Sequence, residues 1–274
     1  MRVENLLIYG KSHCHSDHAK ILLAELIGKN PLELLMNLNE IVPEEKAKLY
    51  KEEILALEAG KPLQYVMGYV NFYGNQFYVN ENVLIPRFET EELVENTINY
   101  INQNYTEPVD IIDLGCGSGV IGLTLEKKVS TNSVDLVDIS KEALKVTHKN
   151  CEKLNSKANI IESDFFTNIT KKYDIVISNP PYIKENEEIE EIVKNNEPSL
   201  ALYAGADGLD CYRKILKTVK KHLKEKSIIA FEIGYTQAND ITKIAQEELD
   251  NIQIIVKKDL SGKDRMLFIF KNIV

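Results

Sequence analysis

A strand followed by a tight turn and a helix recurs along the chain from Val109 onward, and this rhythm constrains the fold more than any other feature. The apolar segments predicted as strands, about seven in number, are Val109–Asp113, Val134–Ile139, Asn159–Ser163, Tyr173–Ser178, Ile228–Ile233, Ile252–Lys257 and Met266–Phe270. Helices are predicted between them at Lys141–Leu154, Gly208–Leu223 and Thr236–Leu249. Such alternation predicts an α/β fold with a mostly parallel sheet. Only a short turn separates the last two strands, which predicts an antiparallel pair.

The segment before this domain has a different pattern. Apolar residues from Ala19 to Gly60 recur at helical spacing, with Pro31 and Pro43 at the starts of new helices. Residues 1–62 are therefore predicted to form a small helical bundle, interpreted as a substrate-recognition domain, with a packing or dimerisation module as the alternative. Residues 63–87 are rich in aromatic and β-branched residues around turn signals and predict a β-hairpin linker, whose candidate strand segments are Gln64–Val66, Phe72–Val79 and Val83–Ile85. Residues 88–274 then form the α/β domain, which opens with a helix at Thr90–Ile101.

Composition narrows the class of protein. The 274 residues carry a formal net charge of −9, which argues against an extensive electrostatic interaction with nucleic acid. The Lys-rich stretch Lys217–Lys226 is predicted as the solvated face of a helix. No apolar run is long enough to span a bilayer and the N-terminus lacks a signal-peptide core, so a cytoplasmic protein is expected.

Neither the cysteines nor the histidines predict a metal site. The four cysteines are scattered without paired spacing, so free thiols are expected. The cluster from His13 to His18 is better explained by Ser16 or Asp17 as the N-cap of the next helix. We therefore predict no metal and, without a recognisable apolar docking face, a monomer.

The turn after the first strand is typical of a nucleotide-binding loop. Its glycines allow a sharp bend and close approach of a ligand to a helix N-terminus. Candidate cofactor-binding residues in the loop are Gly115, Cys116, Gly117, Ser118 and Gly119. Asp138, at the end of the next strand, is placed to accept hydrogen bonds from ribose hydroxyls. Gly117 to Gly122 also satisfies the dinucleotide pattern G-x-G-x-x-G, so these glycines leave NAD open as an alternative.

Three further residues favour a different cofactor. Asp113 precedes the first glycine and could meet the cationic amine of an amino-acid moiety. Asp164 and Phe165 could bracket an adenine, the first by hydrogen bonding and the second by stacking. S-adenosylmethionine combines methionine, ribose and adenine, and therefore fits all of them.

A rigid turn follows the strand Tyr173–Ser178. The two prolines in Asn179-Pro180-Pro181-Tyr182 end the sheet ladder and stiffen the turn. Asn179 offers an amide, Pro180 a free carbonyl and Tyr182 a flat ring. Since ligands of open α/β sheets bind at the carboxyl ends of strands, this turn is predicted to hold a planar nitrogen group.

Several motifs in order resemble class I S-adenosylmethionine-dependent methyltransferases. They are Asp113 to Gly119, Val137-Asp138-Ile139-Ser140, Ser163 to Phe166, and Asn179 to Ile183. The wider set resembles the PrmC (HemK-type) family, the N5-glutamine methyltransferases of peptide chain release factors. It comprises Pro62 to Tyr65, Leu84 to Glu91, Asn196-Glu197-Pro198, Gly205 to Leu209, Tyr212-Arg213, Glu232-Ile233-Gly234 and Asp259 to Arg265. Phe88 departs from the proline usual in that family.

The resemblance implies a Rossmann-like seven-stranded methyltransferase sheet, with S-adenosylmethionine as cofactor. The implied substrate is the glutamine in the Gly-Gly-Gln loop of class-1 release factors, held by Asn179, Pro180, Pro181 and Tyr182, with catalytic roles for Asn179, Pro180 and Tyr182. Asn179 also adjoins the cofactor. One alternative is an exocyclic-amine methyltransferase of nucleic acids. Such enzymes share Asn-Pro-Pro-Tyr, but the net negative charge of this chain disfavours nucleic-acid binding. Another is a non-catalytic binding protein, which the intact turn disfavours.

Overall fold

The computed structural model describes residues 1–273. The α-helices are α1 Val3–His13, α2 Ser16–Ile27, α3 Pro31–Met36, α4 Glu44–Glu58, α5 Leu63–Met67, α6 Phe88–Asn104, α7 Val120–Lys128, α8 Lys141–Leu154, α9 Glu191–Asn196, α10 Asp210–Val219 and α11 Ala238–Glu248. The strands are β1 Tyr69–Phe72, β2 Asn75–Tyr78, β3 Val109–Leu114, β4 Thr131–Asp138, β5 Asn159–Glu162, β6 Tyr173–Ser178, β7 Leu223–Glu232, β8 Ile252–Lys258 and β9 Asp264–Lys271.

Strands β3 to β9 form one sheet in the order β5-β4-β3-β6-β7-β9-β8. The first five are parallel, and β9 lies antiparallel between β7 and β8. This confirms the predicted α/β fold and its antiparallel end pair. The chain builds outward from β3 in one direction and from β6 in the other, so the order reverses between these neighbours. Ligands of open α/β sheets bind at such a switch point.

Both faces of the sheet are covered, which explains the continuous apolar runs of its strands. Ile175 and Ile177 of β6 pack on one side in a cluster that includes residues of α6, α7 and α8. Val176, between them, points to the other side, where residues of α10 and α11 complete a second cluster. The side-chain alternation of a strand therefore serves two cores.

The chain divides into two compact units. The first comprises Met1–Tyr69 with Glu190–Asn196, and the second comprises Val70–Ile189 with the chain from Glu197 onward. The first unit has its own core, formed by side chains of α1 to α4 that include Leu6, Leu23 and Ile54. The buried Tyr50 hydroxyl donates to the Ala19 carbonyl oxygen at 3.2 Å, tying α4 to α2.

Two predicted strands of the hairpin are wrong. Residues 64–66 lie in α5, framed by Pro62 as N-cap and by Gly68 in the left-handed conformation as C-cap. A short apolar run cannot by itself distinguish helix from strand. Residues 83–85 form no strand, because Asn80 builds a turn in which its carbonyl oxygen accepts from Val83 N. Only β1 and β2 form the hairpin.

Other boundaries also differ from prediction. The helix α1 was not predicted individually. His15, rather than Ser16 or Asp17, caps α2, its Nδ1 accepting from Asp17 N at 3.3 Å. The helix predicted to reach Leu223 ends as α10 at Val219 with a 3₁₀ turn, and β7 begins at Leu223. Lys224 and Lys226 therefore belong to a strand and not to a solvated helix face.

Candidate active site

The glycine-rich loop is held at the carboxyl end of β3 by the neighbouring strand. The backbone amides of Gly115 and Cys116 both donate to the Val137 carbonyl oxygen of β4, at 2.8 and 2.9 Å. Gly117 and Gly119 have φ values of +55° and +80°, which suit glycine far better than other residues. The loop therefore turns sharply onto the N-terminus of α7.

Asp138 ends β4 and shapes the same loop. Its Oδ2 accepts from Gly117 N at 2.9 Å, and its Oδ1 accepts from Ser140 N at 2.8 Å. Burial outweighs these two bonds and raises the pKa of the carboxyl above its ordinary value. Each carboxylate oxygen has a second lone pair, so Asp138 can accept further bonds from ligand hydroxyls.

Asp113 lies behind the loop, completely buried. Its Oδ2 accepts from Gly122 N at 2.9 Å, while no described residue bonds its Oδ1. Burial raises the pKa of Asp113 to about 7. A Cβ at Gly122 would overlap Leu136, so this glycine lets α7 pack closely on the sheet. The unpaired oxygen is a buried acceptor available to a donor.

The loop opens into a cavity of about 610 Å³. Predicted site residues that line it are Gly115, Cys116, Gly117, Ser118, Asp138, Asp164, Phe165, Asn179 and Pro181. The structure thus gathers residues that follow β3, β4, β5 and β6 around one space. Asp113, Gly119, Pro180 and Tyr182, which were also predicted as site residues, are not among the residues that line it.

Asp164 and Phe165 follow β5 at one end of the cavity. Asp164 forms an ion pair with Lys214 of α10, whose Nζ also lies 5.9 Å from the centroid of the Phe165 ring. Phe165 has a φ of +47°, an unfavourable conformation for an aromatic residue. Sequence reasoning missed Lys214, which lies far from the motif in the chain.

The Asn-Pro-Pro-Tyr turn is anchored on three sides. Ser178 Oγ donates to the Leu114 carbonyl oxygen at 2.6 Å, and Asn179 Nδ2 donates to Thr90 Oγ1 at 3.3 Å. Gln237 Nε2 donates to the Tyr182 carbonyl oxygen at 3.0 Å. Burial, followed by the charge of Glu232, raises the pKa of Tyr182 to about 12. The turn is therefore a fixed part of the cavity wall.

The segment from Leu84 to Arg87 is also anchored, next to the cavity. Arg87 Nη2 and Glu197 Oε1 form a salt bridge of 2.5 Å, and Glu197 Oε2 accepts from Ile85 N at 3.0 Å. Leu84 and Pro86, next to these groups, line the cavity. The motifs containing Arg87 and Glu197 were recognised in the sequence, but nothing in their spacing showed that they pair.

Asn150 of α8 supports the glycine-rich loop, and no sequence signal indicated this role. Its Nδ2 donates to the carbonyl oxygens of Ser118 and Tyr78, at 2.8 and 3.0 Å. Its Oδ1 accepts from Tyr78 N at 2.7 Å. One buried amide therefore joins the glycine-rich loop to β2.

These residues fit S-adenosylmethionine. The cavity volume is within the range of small-molecule sites. Backbone turns at a helix N-terminus, the Asp138 carboxylate and the Phe165 ring provide contacts for the parts of such a cofactor. In residues 1–273 no cluster of three or more His, Cys, Asp or Glu side chains could hold a metal ion.

Fold and cavity together define a methyltransferase that uses S-adenosylmethionine. Residues 93–201 match the family described as Methyltransferase small domain, and residues 15–68 match the PrmC N-terminal domain. The release factor glutamine methyltransferase of Bacillus cereus is 38% identical over 255 residues, covering 91% of this chain and 90% of the relative. That of Bacillus subtilis is 37% identical over 263 residues, covering 93% and 91%. The chain belongs to the family of release factor glutamine methyltransferases.

Solved structures agree on the fold. A ribosomal protein L11 methylase from Lactobacillus delbrueckii subsp. bulgaricus superposes with a TM-score of 0.51 at 19% identity, over 68% of this chain and 81% of that one. The Thermus thermophilus 16S rRNA N2 G1207 methyltransferase, in complex with AdoMet and guanosine, gives 0.53 at 16% identity, over 74% and 50%. At such identities the likeness concerns the fold alone.

Proposed function

We propose that this enzyme transfers the methyl group of S-adenosylmethionine to the side-chain amide nitrogen, N5, of the glutamine in the Gly-Gly-Gln motif of class-1 peptide chain release factors. Family membership supports the reaction. The observation that carries the assignment of the site is that Asn179 and Pro181 line the same cavity as the glycine-rich loop. A planar amide on the turn would lie beside the cofactor.

An amide nitrogen is a weak nucleophile because its lone pair is conjugated with the carbonyl group. In the proposed mechanism Asn179 Oδ1 and the Pro180 carbonyl oxygen accept the two N–H hydrogens of the substrate amide, directing the nitrogen at the methyl group. The ring of Tyr182 packs against the flat substrate amide. When bound, S-adenosylmethionine supplies an electrophilic methyl on its sulfonium sulfur. Formation of the C–N bond would break the C–S bond and release S-adenosylhomocysteine, and the methylated nitrogen would lose a proton to solvent.

The first unit is proposed to recognise the release factor. Three large apolar side chains in it, Leu32, Met36 and Ile41, are 69%, 77% and 75% exposed. Exposed apolar groups of this kind favour a protein partner. The acidic net charge of −9 favours a protein over a nucleic acid as the partner.

No helix within residues 1–273 is long and apolar enough to cross a membrane. We expect a cytoplasmic monomer without stable nucleic-acid binding.

The test is mass spectrometry of a purified class-1 release factor after incubation with the enzyme and S-adenosylmethionine. One added methyl on the glutamine of the Gly-Gly-Gln peptide is expected. Asn179→Ala should lower kcat by about 10²-fold or more, since it removes one preorganised electrostatic contact. Unmodified release factor, from folded enzyme that binds the cofactor, would contradict the proposal and direct the assay to RNA and DNA. Full turnover by Asn179→Ala would contradict the role of the turn.

A further inference from the structure

A buried carboxylate is linked to the side chain of Asn179 through a single hydroxyl group. Thr90 Oγ1 on α6 donates to Glu232 Oε2 at 2.7 Å, and Asn179 Nδ2 donates to the same Thr90 oxygen at 3.3 Å. Thr90 and Glu232 are each only 2% exposed. The three groups therefore form a chain whose inner end is shielded from water and whose outer end lines the cavity.

The direction of this chain follows from its donors and acceptors. An ionised carboxylate can only accept, so the one hydroxyl proton of Thr90 is committed to Glu232. The lone pairs that remain on Thr90 Oγ1 can bond only a donor, which is the NH₂ group of Asn179. If the amide were flipped, two oxygens would face each other without a hydrogen between them. Glu232 thereby selects the amide orientation.

We propose that Thr90 and Glu232 are positioning residues of the methyl transfer, fixing the Asn179 amide with its oxygen directed away from Thr90 and available to the substrate nitrogen. This inference rests on the proposed function. The oxygen is the atom that must accept a substrate N–H, whereas the NH₂ group would repel it. Neither Thr90 nor Glu232 needs to touch the reacting atoms.

The surroundings of Glu232 determine when the chain keeps its direction. The titratable side chains that interact with Glu232 are Arg87, the N-cap of α6, Glu89 of α6, Arg265 of β9, Tyr182, and Tyr212 of α10. Burial outweighs the bond from Thr90 and the two arginine charges, raising the pKa of Glu232 to about 7. Below that pH the carboxyl is protonated and can donate to Thr90, which frees the hydroxyl proton for the Asn179 oxygen. Orientation of the amide is then lost.

The experiment measures kcat at saturating release factor and S-adenosylmethionine, together with cofactor affinity. Thr90→Val removes the hydroxyl with little change of shape and should lower kcat about tenfold, while the affinity for the cofactor stays within about twofold. Thr90→Ser retains the hydroxyl and should restore most of kcat. Thr97→Val is the matched control, because Thr97 is buried on the same helix and, among the described residues, its hydroxyl bonds only the Leu93 carbonyl oxygen. An unchanged kcat in Thr90→Val would overturn the inference.

A pH profile separates orientation from simple packing. Wild-type kcat should rise with pH through a midpoint near 7, and Glu232→Gln should remove this rise. A rise that persists in Glu232→Gln would belong to another group, such as Asp113, and would overturn the inference. Because the wild type is measured alongside the variants, failure of the proposed function can be distinguished from failure of the positioning role. A wild type that leaves the glutamine unmethylated contradicts the proposed function, whereas an active wild type with equally active variants contradicts only the positioning role.

Discussion

Buried carboxylates have different partners at the two edges of the sheet, where the amino ends and the carboxyl ends of the parallel strands lie. Strand β3 shows the contrast within one strand. At its amino end, Asp110 accepts from Lys171 Nζ at 2.7 Å and from Lys224 Nζ at 2.6 Å. Burial alone would raise its pKa, but the hydrogen bonds from the two lysines lower the pKa of Asp110 to about 2. The neighbouring Asp174 of β6 shares Lys224 at 2.7 Å. Charge at this edge is neutralised within the protein.

At the carboxyl edge, Asp113, Asp138 and Glu232 lack such partners, although Asp164, which follows β5, pairs with Lys214. In the part of the chain that the structure describes, no salt bridge joins Asp113, Asp138 or Glu232 to a lysine or arginine. Burial raises the pKa of Asp113 and of Glu232 to about 7. Their bonds come from backbone amides and one hydroxyl. One edge is therefore stabilised by internal ion pairs, whereas the other keeps hydrogen-bond acceptors available for ligands.

The largest contrast is expected from Asp138→Ala. The change removes two hydrogen bonds that shape the glycine-rich loop and one acceptor for the ribose. Charge-assisted hydrogen bonds contribute about 1.5–3 kcal/mol each, so affinity for S-adenosylhomocysteine should fall by about tenfold or more. Isothermal titration calorimetry measures it. Unaltered affinity would show that the carboxyl edge does not bind the cofactor through this residue.

A smaller, opposite effect is expected from Lys224→Met at the amino edge. This variant leaves Asp174 without its cation and Asp110 with Lys171 alone. The free energy of unfolding should fall by about 1–2 kcal/mol, while cofactor affinity is unchanged. Urea denaturation gives the first quantity and calorimetry the second. Lys221→Met, at an exposed position just before β7, provides the control. Equal stability of the two variants would remove the contrast.

A third contrast is a pH dependence of stability with opposite signs at the two edges. Asp113 and Glu232 hold protons in the folded state up to about pH 7 but lose them near pH 4 when unfolded, so their contribution to stability increases as pH falls from 7 to 4. Asp110 contributes stability above about pH 4, which is lost as pH falls toward 2.

Thermal unfolding without cofactor should therefore show a rising Tm from pH 8 to about pH 5 and a falling Tm below about pH 4. Asp113→Asn should flatten the first limb. Glu162→Gln, which alters an exposed carboxylate at the end of β5, should not. A first limb of the same slope in Asp113→Asn would exclude Asp113 as its source.

Elements with strong local patterns were predictable from the sequence. The helix α8 has the bounds that the pattern predicts, and β6 likewise, because each is a long periodic or continuous apolar segment between turn signals. The βα rhythm predicted a mostly parallel sheet, while the strand order came from the structure. That order explains why the glycine-rich loop and the Asn179 turn meet, since β3 and β6 are neighbours.

What the sequence could not provide are the contacts between distant segments. Thr90 and Glu232 are 142 positions apart, and Arg87 and Glu197 are 110 apart. Each motif was visible, but spacing along the chain carries no information about which side chains pair after folding. The short helix α5 failed for a different reason, because five apolar-rich residues are too few for a period.

The position of β9 inside the sheet, between β7 and the edge strand β8, affects when the active site can form during synthesis. Strand β9 is the last among the described elements, yet it pairs with both β7 and β8, and its Met266 stands opposite Glu232. Arg265 also holds Ile233, the residue after Glu232: its carbonyl oxygen accepts from Ile233 N, and its guanidinium donates to the Ile233 carbonyl oxygen. During synthesis, the earlier part of the chain therefore lacks the strand that holds Glu232 in register. A nascent chain acquires its oriented active site only after β9 has left the ribosome.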